Sequence, residues 1–134
     1  MTDSIYPKYK DAILTGSTDV ALDSSNVVVS LIDGDVQTFS ISDEYYSDLN
    51  ENAVIGSSEL LNKTINNGLF SADNVTIEKS SSISSEALLL WINTGNTETS
   101  RLVAWLESSV VGFPTPPEDP IADITWNELG IFKL

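Results

Sequence analysis

Two hydrophobic runs in the second half of the chain dominate its pattern of polar and apolar positions. In Ala87–Ile92 and Leu102–Leu106 both the odd and the even positions are apolar. A strand with one face in water alternates polar and apolar residues, so each run predicts a strand that is covered on both faces. The polar segment 93–100 between them, with Gly95 free to take a positive φ, predicts a hairpin loop.

The second cover of these strands has three possible sources: an N-terminal helix, the proline-rich loop that follows residue 112, or another subunit. Two-sided burial in a chain of this length leads us to expect a homo-oligomer. It is the physical signal in the sequence that says most about assembly.

Residues 5–14 show the period of a helix. Apolar side chains recur at positions 5, 6, 9, 13 and 14, a spacing of three and four. Ser4 can cap the first turn, Pro7 fits within it, and Gly16 supplies a stop. We predict one short amphipathic helix over residues 5–14. Its apolar stripe is expected to pack on the domain's own sheet, and a partner-binding helix is the alternative.

The remaining pattern predicts short strands separated by turns. The β-branched run 26–32 ends at an Asp-Gly turn signal, so residues 36–39 are expected to return antiparallel to it. Tyr45 and Tyr46 either open a short strand or anchor a loop to the core by their rings. Residues 53–60 and 61–65 predict further strand segments.

The pattern continues with a turn at residues 66–68, where the sequence is Asn-Asn-Gly, and a strand with one wet face at residues 74–78. A final strand is expected to reach the end of the chain, with Leu129, Ile131 and Phe132 packed within the fold. The fold class is therefore all-β. We predict a single domain over residues 1–134, an antiparallel β-sandwich or jelly-roll-like barrel with one short N-terminal helix.

Composition argues against catalysis. The 134 residues include no cysteine and no histidine, which removes disulfides, thiolate metal ligands and the commonest general base. A Ser-His-Asp triad is impossible, and no phosphate loop, dinucleotide fingerprint or nucleophile elbow occurs. We expect no enzyme activity, no catalytic residues and no cofactor.

The charge is strongly acidic, with six basic and twenty acidic residues and a formal net charge of −14. Such a surface repels phosphates and anionic lipids, so neither nucleic acid nor a membrane is an expected partner. Acidic residues recur at Asp33, Asp35, Asp43, Glu44 and Asp48, but without the spacing of an EF-hand loop, and we interpret them as a solvated acidic loop with no metal. No signal peptide or membrane span is evident, which predicts a soluble protein made in a reducing compartment.

The order of segments carries a resemblance. An aromatic-rich helix ends in a glycine, a Leu-Asp lead enters a valine-rich strand at 27–33, and Tyr-Ser-Asp at 46–48 and Gly-Leu-Phe-Ser-Ala-Asp at 68–73 follow. The chain then has a Thr-Gly loop at 94–95, Ser-x-Leu-x-Ala at 100–104, Phe-Pro-Thr-Pro at 113–116, Ile-Thr-Trp-Asn at 124–127 and Gly-Ile-Phe-Lys-Leu at 130–134. Over nearly its whole length the chain resembles a family of small virion structural proteins of tailed bacteriophages. One departure is Pro-Glu-Asp-Pro at 117–120, where relatives often carry a glycine- and asparagine-rich stretch.

The resemblance implies a capsid decoration or cement protein that binds the outer surface of the phage head and reinforces it. Its partners would be the major capsid protein or other virion proteins, and it would reside on the virion after synthesis in the bacterial host cytoplasm. A tail or neck component at the head–tail junction and a carbohydrate- or receptor-binding module are the alternatives.

Apolar and aromatic patches usually carry such binding. The candidate partner contacts are Trp91, Trp105, Phe113, Pro114, Pro116 and Pro117. The alternative for each tryptophan is core packing, which we favour because strand tryptophans mostly serve cores.

The apolar C-terminal end provides a first test. Deleting residues 130–134 is expected to abolish cooperative unfolding, because the final strand packs within the fold. Thermal or urea unfolding followed by circular dichroism measures this. An unchanged melting curve for the truncated chain would contradict the assignment.

Overall fold

The computed structural model describes residues 4–17, 20–80, 83–107, 120–126 and 130–133. Strands predominate, and they form three antiparallel sheets arranged as a sandwich with one short helix near the N-terminus, which confirms the predicted fold class. The elements are β1 (Ser4–Ile5), α1 (Pro7–Leu14), β2 (Val27–Ile32), β3 (Val54–Glu59), β4 (Thr64–Asn66), β5 (Leu69–Ser71), β6 (Val75–Glu78), β7 (Ala87–Ile92), β8 (Leu102–Leu106), β9 (Ile121–Ile124) and β10 (Phe132–Lys133), with 3-10 turns at Tyr46–Asp48 and Glu51–Ala53.

The main sheet has the strand order β1-β8-β7-β2-β3. Every residue of β2, β7 and β8 is buried, so the predicted two-sided burial of the hydrophobic runs is confirmed. A fully buried aliphatic side chain contributes roughly 1.5–3 kcal/mol relative to an exposed one. These three strands therefore supply much of the apolar burial that stabilises the fold.

One face of the main sheet is covered by the segment 33–53, here called the acidic cover. Strand register places Ser30, Leu89 and Trp91 on this face. The ring of Tyr46 packs on Trp91 at a centroid distance of 4.3 Å, and Phe39 contacts Trp105 at 6.4 Å. The tyrosine pair therefore belongs to a loop held to the core by a ring, one of the two alternatives that the sequence left open.

The opposite face packs on the two smaller sheets, β6-β9 and β10-β5-β4. Gly56 of β3 pairs with Leu31 and lies directly against β6. A β-carbon at this position would lie 2.5 Å from the Glu78 carbonyl oxygen and 2.9 Å from the Ile77 side chain. Glycine is therefore required for the close approach of the two layers.

The helix begins later than predicted, at Pro7 rather than at residue 5. Residues 4 and 5 instead extend the main sheet, where Ser4 pairs with Trp105, and Ser4 is not a helix cap. The predicted stop at Gly16 is confirmed: its φ is +75°, and its N–H donates to the Ile13 carbonyl. Tyr9 and Ala12 form the buried stripe.

Two further predictions about strands are wrong. Residues 36–39 do not return as a strand, because the neighbours of β2 are β3 and β7; the Asp-Gly signal produces only a turn, in which the Val36 N–H donates to the Asp33 carbonyl. The predicted final strand is two strands, β9 paired with β6 and β10 paired with β5. Ile131 is buried and Phe132 is partly buried, as expected, whereas Leu129 lies outside the described residues.

The turn predicted at residues 66–68 is confirmed. Asn67 and Gly68 both have positive φ, +53° and +80°, and they connect β4 to β5. This is the backbone that an Asn-Gly hairpin turn requires.

Replacing Gly56 with alanine is expected to destabilise the protein by about 1–3 kcal/mol, because the added methyl group must push two packed layers apart. The free energy of unfolding from urea titration measures this. Gly34→Ala is the matched control, since a β-carbon there approaches mainly the side chain of Glu86, which can move. Equal stability of Gly56→Ala and the unaltered protein would contradict the layer contact.

Candidate functional site

The two tryptophans expected to contact a partner lie in the core. Trp91 is 8% exposed and Trp105 is 2% exposed. The Trp91 indole N–H donates to Ser30 Oγ at 2.9 Å, and Ser30 in turn shares a hydrogen bond of 2.7 Å with Ser57 Oγ. Both indoles therefore serve packing, and neither offers a docking surface in this structure.

The other candidate contacts, Phe113, Pro114, Pro116 and Pro117, lie outside the described residues and stay predictions. The third tryptophan, Trp126, is buried as well. Its indole N–H donates to the Asp73 carbonyl at 3.0 Å, and its backbone N–H donates to Asn74 Oδ1. It therefore fixes the end of β9 to the segment before β6.

The acidic cover carries six acidic residues and no basic residue. Its main charged attachment is Glu44, whose carboxylate accepts from Arg101 Nη1 at 3.2 Å. The Arg101 guanidinium also lies over the Tyr45 ring, 5.2 Å from the centroid, a cation–π geometry. The carboxylate of Asp48 accepts from the backbone N–H groups of Glu44 and Tyr45, which fixes the turn between them.

Three carboxylates of the described residues gather at one point, where Asp33, Asp35 and Glu86 have oxygen atoms within 4.8 Å of one another. Asp33 is buried, and its Oδ1 accepts from the Asp35 N–H at 3.0 Å, the usual arrangement of an aspartate in a turn. The turn explains the position of Asp33, in agreement with the interpretation of these residues as an acidic loop.

A second carboxylate lies beside a buried phenol. The Tyr6 hydroxyl and Asp43 Oδ2 are both buried, and neither atom has a hydrogen-bond partner within the part of the chain that the structure describes. Burial, and then the charge of Asp43, raise the pKa of Tyr6. Burial, and then the charge of Asp48, raise the pKa of Asp43. Ionised Asp43 therefore opposes the docking of the acidic cover on the sheet.

An apolar groove lies between α1 and the three-stranded sheet, and it is here called the α1 groove. Its volume is about 230 Å³. Register aligns Ile65, Phe70 and Phe132 in one row across β4, β5 and β10. The other side of the groove is formed by Tyr9, Ile13, Val20, Ala21 and Leu22, with Gly68 at the hairpin turn.

Hydrogen bonding fixes the wall of this groove. The Tyr9 hydroxyl donates to the Val20 carbonyl at 2.6 Å, and burial raises the pKa of Tyr9 to about 12, so the phenol stays protonated at neutral pH. Phe70 and Phe132 contact each other with centroids 5.5 Å apart. Sequence reasoning missed this groove, because its residues come from four separate segments and show no common period.

Comparison with protein-family models, with characterised proteins and with solved structures finds no match to this chain. Among the described residues, no helix has the length and apolar character needed to cross a membrane.

Asp43→Asn is expected to stabilise the protein at pH 7, because the amide keeps the shape of the side chain and removes a charge that burial disfavours. A carboxyl whose folded pKa is raised contributes most to stability below its unfolded pKa of about 3.9. That contribution is lost as the pH rises through the folded pKa. The advantage of the variant is therefore largest at pH 7 and shrinks toward pH 4.

Urea unfolding across this pH range measures the difference between the two proteins. Glu98→Gln is the matched control, since it removes one charge from an exposed loop. A lower stability of Asp43→Asn at pH 7, or a difference that does not change with pH, would refute the assignment of an electrostatic cost to Asp43.

Proposed function

We propose that this chain is a structural protein of a tailed-phage virion, a capsid decoration or cement protein that binds the outer surface of the head. The observation that carries the proposal is the order of family-like segments along nearly the whole chain. These segments coincide with the frame of the fold: the valine-rich run is β2, the Ser-x-Leu-x-Ala run enters β8, and the Gly-Leu-Phe-Ser-Ala-Asp run contains β5. The resemblance therefore concerns the residues that form the sandwich.

The architecture supports a mechanical role. Three adjacent strands are buried on both faces, so their hydrogen bonds and side chains are shielded from water. Such an element opens only at the free energy of global unfolding, which keeps the shape of the protein fixed while the shell below it is under load. A rigid part that touches two shell subunits links them, because its second contact forms within the same complex.

The charge supports the exterior position. With a net charge of −14 the protein would be repelled by packaged DNA inside the head. On the outside the same charge keeps free copies soluble before they bind. The surface on the shell that receives the protein is expected to be neutral or locally basic, and the proposal includes no catalytic step.

Co-sedimentation tests the proposal. Heads purified without this protein, from the phage that encodes it, are mixed with the purified chain and pelleted. We expect the chain to pellet with heads in a fixed ratio to the major capsid protein, and to raise the temperature at which the heads release DNA. A chain that stays in the supernatant removes the decoration proposal.

Imaging of labelled chain on whole virions separates the alternatives. Label distributed over the head supports decoration. Label at one vertex supports a tail or neck component, and label on fibres together with hits on a glycan array supports a carbohydrate- or receptor-binding module.

A further inference from the structure

The α1 groove is an apolar recess with an open mouth. Its inner residues Tyr9 and Phe70 are buried, whereas Ile65 on strand β4 remains 50% exposed. The volume of about 230 Å³ exceeds the roughly 150 Å³ of an engineered apolar cavity that binds benzene. A branched aliphatic side chain therefore fits into it.

The surroundings of the α1 groove differ in charge from the rest of the molecule. The segments that border it, residues 7–14, 20–25, 61–71 and 130–133, contain four of the six basic residues of the chain and only two acidic ones. Lys10 follows Tyr9 on α1, and the helical step of about 100° per residue brings it to the same side as Ile13. Lys63 precedes β4, and its ammonium group donates to the Ser25 carbonyl. Cations therefore border an apolar recess in an otherwise acidic protein.

The acidic cover presents the complementary feature. Ile41 is 69% exposed at the tip of a turn closed by the Asp43 N–H donating to the Ser40 carbonyl at 3.3 Å. Ser40 Oγ and Ser42 Oγ share a hydrogen bond of 2.9 Å, which stiffens the same turn. Asp43 and Glu44 follow directly. The tip is thus an aliphatic side chain beside carboxylates, the counterpart of an aliphatic recess beside lysines.

The two features lie on different sides of α1. Tyr9 and Ile13 face the α1 groove, whereas Lys8 and Ala12 border a recess that also contains Glu44 of the acidic cover. The Ile41 turn of one copy is therefore placed to meet the groove of another copy rather than its own.

We propose that the α1 groove of one copy receives the Ile41 turn of a second copy. Ile41 enters the apolar recess, and the carboxylates of the turn approach the lysines around it. Because the two contact surfaces are different, the association is head to tail, and it closes into a ring if the rotation between copies permits. It is a property of the isolated chain and does not depend on the proposed place in a virion.

Two complementary variants test this contact. Ile41→Asp blocks the turn and leaves the groove intact, whereas Ile65→Asp blocks the groove and leaves the turn intact. In sedimentation velocity we expect the unaltered chain to gain mass with concentration and each variant alone to remain a monomer. An equimolar mixture of the variants is expected to form a dimer and nothing larger, because only one productive contact remains.

The matched control is Ile121→Asp, which changes a side chain of nearly equal exposure, 48%, on β9. It should associate like the unaltered chain. Lys10→Glu provides a second groove-side variant that keeps the apolar lining, and it should weaken association at least tenfold at low salt and less at high salt. Circular dichroism confirms that each variant is folded.

Three outcomes would overturn the proposal: an unaltered chain that is monomeric at every concentration, a mixture of the two variants that stays monomeric, or a loss of association in Ile121→Asp equal to that in Ile41→Asp. Failure to pellet with phage heads would leave these results unchanged. The self-association and the proposed function can therefore fail separately.

Discussion

The burial of both faces of β8-β7-β2 is the constraint on which the rest of the structure depends. A sheet whose odd and even side chains are all apolar is stable in water only if it is covered twice. The acidic cover packs on one face through Phe39 and Tyr46, and the two small sheets pack on the other through contacts such as that of Gly56 with β6. The connections between the main strands are long for a 134-residue chain because they form these two covers.

The acidic cover combines two opposing tendencies. Its aromatic rings and the Arg101–Glu44 pair hold it on the sheet, while the crowded carboxylates and the buried Asp43 favour its release. Apolar contact therefore determines where this segment lies, and its charge determines what it can meet. The α1 groove has the opposite character, with an apolar wall near lysines. The molecule consequently has two unlike surfaces, which is the physical basis for head-to-tail assembly.

Local patterns predicted the strands that are buried on both faces and the turns that require glycine. Unbroken apolar runs identified β2, β7 and β8, and Asn67-Gly68 identified the hairpin between β4 and β5. What failed was pairing: the Asp-Gly signal after β2 suggested a hairpin, but the partner of β2 is β3, some twenty residues further on, because residues 33–53 are needed as a cover. The α1 groove is likewise assembled from distant segments. Two-sided burial suggested another subunit, yet the chain supplies both covers itself, so the expected oligomer now rests on different residues.

Amide hydrogen exchange of the protein at concentrations low enough for it to be monomeric tests the central claim most directly. If both covers come from one chain, the amides of β2, β7 and β8 exchange at the rate set by global unfolding, and dilution does not change that rate. Exchange in these strands that becomes faster on dilution would show that one face of the sheet is covered by another subunit, and would contradict the account.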